Sequence, residues 1–72
     1  MKNRIGEVAG EVWRLLDKRG PMHFKMITRQ MNGIDQSLIL MAIGWLARED
    51  KVEITGEQGS MIVALHRVAQ TV

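Results

Sequence analysis

Three stretches with apolar residues at helical spacing, a tight Asn-Gly turn between the second and third, and two period-two runs around a glycine-rich loop predict an α+β chain. The order is that of a winged helix-turn-helix: three helices followed by a β-hairpin wing. A three-helix bundle with an unstructured tail accounts less well for an alternation that stands on both sides of the loop. The 72 residues are read as a single domain, because a chain this short has room for one core.

The first helix rests on Ile5, Val8, Ala9, Val12, Leu15 and Leu16, with Arg4, Glu7, Glu11, Arg14 and Lys18 on the opposite side. Gly20-Pro21 ends it, a C-terminal glycine followed by a residue that cannot continue a helix. Met22 and His23 are expected as a brief extended link. Residues 24–31 form a short second helix, with Phe24, Ile27 and Met31 inward and Lys25 and Arg29 outward. Asn32-Gly33 is a turn, Asp35 an N-cap, and Ile34 a hydrophobic staple toward Ile39. The third helix is expected over residues 36–49. Beyond it Val52 and Ile54 alternate with Lys51, Glu53 and Thr55, residues 56–60 form the wing loop, and Met61, Val63 and Leu65 resume the alternation. Residues 67–72 carry no pattern.

Composition narrows the function classes. The chain has no cysteine, which excludes a disulfide scaffold and cysteine-based zinc sites. Its start lacks the uninterrupted apolar run of a signal peptide, and Arg48, Glu49 and Asp50 cut the longest apolar run far short of a membrane span. A cytoplasmic protein is expected. Yet 46% of the residues are hydrophobic, a high share for so small a chain. Either the core is unusually complete or a second chain covers part of the surface.

The charge is unevenly spread. Residues 1–36 hold seven Lys/Arg against four Asp/Glu, whereas residues 37–72 hold three against four, so the basic half is the first half.

Winged helices usually read DNA with the third helix, and here that helix is poorly equipped to do so. At 100° per residue, Ile39, Ala42, Ile43 and Leu46 form the stripe that must be buried, and Leu38, Met41 and Trp45 widen it to an arc of about 200°. The N-terminal half, which contacts base edges in such proteins, offers only Gln36 and Ser37. The commonest specific contact, Arg or Lys to guanine, is missing. Lys25 and Arg29 on the second helix, with Arg48 and Lys51, are the candidates for phosphate contacts. Four such contacts would give a salt slope of about −3.6 per chain. The alternative is a solvated face of mixed charge, since Glu49, Asp50 and Glu53 interleave with these cations. Double-stranded DNA read with modest specificity is therefore one expected partner.

A second copy of the chain is the other. Leu38, Met41 and Trp45 either extend the core beneath the hairpin or form a protein interface, for which methionine and aromatic side chains are well suited. Gly6 and Gly10 lie four apart on the first helix with Trp13 one turn on. Interior helix glycine costs about 1 kcal/mol relative to alanine, so two of them point to the close approach of another backbone, the alternative being a helix that becomes regular only after Gly6.

Catalytic chemistry finds no footing. His23 and His66 have no acids at ligand spacing and read as capping or surface residues, and Ser37 and Ser60 have no partnered base. Met22, Met26, Met31, Met41 and Met61 are expected as gap-filling core residues. No enzyme, metal, cofactor or small-molecule substrate is expected. The surviving alternatives are a DNA-binding, regulator-like homodimer and a protein-interaction module that uses the apolar flank of the third helix.

Residues 6–13 (GEVAGEVW) and, more specifically, residues 44–52 (GWLAREDKV) resemble a family of small stand-alone winged helix-turn-helix proteins of bacteria and archaea whose function is unassigned. The resemblance covers nearly the whole chain. It implies the winged-helix fold and makes homodimerisation an expectation, but it brings no catalytic or ligand-binding residue.

Overall fold

The computed structural model describes residues 2–57 and 59–66; residues 67–72, whose sequence carried no pattern, lie outside them. The elements follow as α1 (Lys2–Arg19), β1 (Met22–His23), α2 (Phe24–Gln30), α3 (Gln36–Arg48), β2 (Val52–Thr55) and β3 (Ile62–Leu65). The sheet is antiparallel in the order β1-β3-β2.

Each boundary has a local cause. Gly20 takes φ 85° and donates its amide to the Leu16 carbonyl at 2.7 Å, closing α1. The imidazole of His23 caps α2 by accepting from the Lys25 amide at 3.3 Å, and Asp35 caps α3 by accepting from the Ser37 amide at 2.9 Å. α3 ends in a Schellman turn, in which Lys51 N–H bonds the Leu46 carbonyl at 2.8 Å and Asp50 N–H the Ala47 carbonyl at 3.0 Å. Asp50 fills the left-handed position of that turn at φ 61°, where glycine is usual.

The core joins Val8, Ala9, Val12 and Leu16 of α1 to Ile39, Ala42, Ile43 and Leu46 of α3, with Ile27 and Met31 on one side and Met22, Val52 and Val63 closing it from the sheet. α1 and α3 share the most extensive contact, so α3 is clamped along its length and its two ends are fixed in space. Ile34 packs against this core from the turn before α3.

Four expectations need correction. Met22 and His23 are a strand and not merely a link: they pair with Val63 and Ile62, and the Phe24 amide extends the ladder to the Met61 carbonyl at 2.9 Å. The pattern concealed this because two residues cannot display a period. Among the widened arc of α3, only Leu38 extends the core (8% exposed); Met41 and Trp45 remain 52% and 45% exposed, because the hairpin does not reach over them. Met26 is likewise exposed, so core filling accounts for Met22 and Met31 but not for Met26 or Met41. Finally, Ile54 stands at 39% exposed although its cross-strand partner Val63 is fully buried, since Val63 lies on the central strand and Ile54 on the edge strand.

The wing is tied at both ends. Gly56 takes φ 91°, and a Cβ there would collide with the Ser60 carbonyl, so the loop closes only over a glycine. At the base, His66 Nδ1 lies 2.7 Å from a Glu53 carboxylate oxygen across β2 and β3. No helix among the described residues is long and apolar enough to cross a membrane.

Candidate nucleic-acid interface

The N-terminal end of α3, the start of α2 and the wing loop converge on one half-open cleft of about 420 Å³. Lys25 and Thr28 reach it from α2, Gln36 and Leu40 from α3, and Gly59 and Met61 from the wing. Residues as distant in sequence as Lys25 and Gly59 thus share one surface. Among the described residues Lys25 is the only one with a permanent charge that lines the cleft, and none of them brings a carboxylate to it.

The capping chemistry determines which groups remain free there. The Asp35 carboxylate occupies the amide end of α3, so a phosphate would meet a negative charge at that helix start. The start of α3 is therefore a poor seat for a phosphate, and the exposed cations of α2 are better placed to supply one. Thr28 donates its hydroxyl to the Lys25 carbonyl at 2.8 Å, which leaves its oxygen as an acceptor only. Lys25, Arg29, Gln36 and Ser37 are all exposed, and among the described residues the side chains of Lys25, Arg29 and Gln36 make no hydrogen bond or ion pair.

The six candidate DNA contacts separate into two groups. Arg48 is exposed at the opposite end of α3 from Gln36, about 18 Å along the axis at 1.5 Å per residue. The Schellman turn swings Lys51 away from the wing face into a second groove between α1 and α3. Lys25 and Lys51 therefore line different grooves, contrary to the single grouping read from the sequence. Spacing in sequence could not reveal this, because it depends on the handedness of the turn after α3.

That second groove, of about 390 Å³, gathers most of the candidate interface residues: Gly6, Gly10 and Trp13 from α1 and Trp45 from α3, with Arg14 and Lys51 at hand. Leu38 drops out of that set, since it is buried in the core. Met41 stays exposed, one helical turn from Trp45. The close-approach reading of the glycines finds no partner among the described residues. A Cβ on Gly6 would meet nothing within 4 Å, and one on Gly10 only the guanidinium of Arg14 at 3.7 Å.

Two features of the first cleft escaped the sequence reading. Leu40, 48% exposed and outside the buried stripe as its position on the helix predicts, belongs to it. His23 also lines it while serving as the α2 cap. The cap was foreseeable from a histidine just before a helix, but the cleft was not, since it depends on β1 pairing with β3.

Three helices, a three-stranded antiparallel sheet and a wing that meets the start of the third helix define a winged helix-turn-helix domain. The chain belongs to the winged helix-turn-helix domain family DUF2582, whose model matches residues 1–65. It is also 34% identical over 67 residues to the uncharacterized protein MJ1608 of Methanocaldococcus jannaschii, an alignment covering 90% of this chain and 94% of the relative. No solved structure matches it.

Proposed function

We propose that this chain is a DNA-binding, regulator-like module of the cytoplasm that acts as a homodimer and contacts DNA with modest specificity. The observation that carries the reading is the convergence of Lys25, Gln36 and the wing residue Gly59 on one face that, among the described residues, no carboxylate lines. Lys25 and Arg29 serve as phosphate contacts, and Gln36 and Ser37 as the groups that meet base edges. Gln36 suits adenine through its amide, whereas Ser37 discriminates little. Arg48 and Lys51, at the far end, are secondary contacts in this reading. Without an Arg or Lys toward guanine, affinity comes mainly from phosphates, and the module is one of binding and not of catalysis.

The homodimer is supported by the α1/α3 groove. Trp13 and Trp45 expose 36% and 45% of their surface, roughly 100 Å² each of the ~250 Å² of a full indole side chain. Burying four such side chains returns about 10 kcal/mol, comparable with the ~4–15 kcal/mol cost of association. The same groove supports the second reading, a protein-interaction module that binds no DNA.

Mapping backbone amide shifts on adding a mixed-sequence duplex tests the proposal. Perturbations at Lys25, Arg29, Gln36, Ser37 and the wing are expected. Perturbations confined to the Trp13 and Trp45 groove, or none, would sink it.

A further inference from the structure

The cleft between α2, α3 and the wing is chemically odd for a surface that contacts only phosphate. Its lining is predominantly apolar, with Phe24, Leu40 and Met61 as walls. A phosphate backbone has little use for such walls, whereas a small molecule with a hydrophobic body does. The cleft volume of about 420 Å³ falls within the range of small-molecule sites, which pair apolar walls with a few convergent polar groups.

Apart from Thr28, whose hydroxyl oxygen is left as an acceptor, the polar side chains of the lining can donate. The Lys25 ammonium and the Gln36 amide make no hydrogen bond or ion pair among the described residues. His23 accepts the Lys25 amide through Nδ1, so its neutral ring carries the proton on Nε2 and presents a donor. With no carboxylate in the lining among the described residues, the site offers donors and one positive charge to an acceptor-bearing anion. We propose that this cleft binds a small amphipathic carboxylate, its apolar body against Phe24, Leu40 and Met61 and its carboxylate on Lys25, with Gln36 and His23 as supporting donors. The ligand's role as a competitor of DNA rests on the DNA-binding reading, because both use Lys25 and Gln36. Binding of the ligand itself does not rest on it.

The test is a titration of the full chain, without DNA, using hydrocinnamate and its neutral amide, read by backbone amide shifts. Saturable shifts in the millimolar range or below, centred on His23, Lys25, Gln36, Leu40 and Met61, are expected. The amide should bind at least about tenfold more weakly, as loss of a charge-assisted hydrogen bond requires. Lys25→Gln should remove that discrimination, and Leu40→Glu, at an exposed position, should abolish binding while the remaining spectrum is retained. Equal binding of acid and amide, shifts centred on Trp13 and Trp45, or no saturation would overturn the proposal. A second arm adds hydrocinnamate to a protein–duplex complex. Displacement supports the competitor role, and displacement failing at saturating ligand overturns that role alone. If no duplex binds at all, the DNA reading fails while the first titration still decides the site.

Discussion

Trp13 on α1 and Trp45 on α3 line one groove with Gly6 and Gly10, neither of which has a backbone neighbour where a side chain would stand. Two indoles beside two missing side chains make a surface with both projections and hollows, the requirement for a contact in which the same patch serves on both subunits. Substitution at Gly6 separates fold from association. The Cβ of Gly6→Leu would meet nothing within 4 Å among the described residues, and the substitution should stabilise α1 by up to about 1 kcal/mol through helix propensity. The same side chain would fill the hollow. Sedimentation equilibrium should therefore show a dimer for the parent chain and a monomer for the variant, with thermal stability extrapolated to low concentration unchanged or raised. A parent chain that is monomeric at all concentrations would remove the homodimer.

Asp50 holds a left-handed conformation in the turn that follows α3. Such a conformation costs a non-glycine residue on the order of 1 kcal/mol, although aspartate tolerates it better than most. Asp50→Gly should recover much of that cost, raising the melting temperature by about 4–8 °C per kcal/mol in a domain this small. A lower melting temperature would show that the Asp50 side chain contributes more than the turn conformation costs.

Neighbouring residues of α3 should behave very differently on truncation. Ile39 is fully buried and Leu40 is 48% exposed. Ile39→Ala should destabilise by about 2–5 kcal/mol, whereas Leu40→Ala should cost less than about 0.5 kcal/mol. Urea denaturation of both variants checks this, and similar losses at the two positions would place Leu40 in the core and close the cleft proposed above.

The wing depends on Gly56. Its positive φ and the collision of any Cβ with the Ser60 carbonyl mean that Gly56→Ala must distort the loop, at a cost of about 1–3 kcal/mol. Circular dichroism melting reads the cost. Amide shifts should report the change at residues 52–65, leaving α1 and α3 intact, and unchanged wing resonances would contradict it.

The sequence disclosed the helices because each has a cap or breaker that acts locally: Gly20-Pro21 after α1, His23 before α2 and Asp35 before α3. It disclosed the hairpin through the alternation at Val52 and Val63. It did not disclose β1, whose two residues become a strand only by pairing with β3, nor the exposure of Ile54, which depends on its strand standing at the edge of the sheet. The sites were legible in part. Gly6, Gly10, Trp13 and Trp45 share a face of the helices that carry them, and the structure brings them together. The separation of Lys51 from Lys25, and the cleft containing Leu40, arise from chain reversals after α3 and in the wing that no local spacing records.

The salt dependence of duplex binding tests the central claim most directly. Fluorescence anisotropy with a mixed-sequence duplex, measured across a range of salt for the parent chain and for Lys25→Ala plus Arg29→Ala, gives the number of phosphates engaged. Binding by the parent chain should weaken steeply with salt, and the double variant should bind more weakly with a slope reduced by about 1.8 per chain. A salt-independent response, or the same slope in both proteins, would contradict a phosphate interface on Lys25 and Arg29.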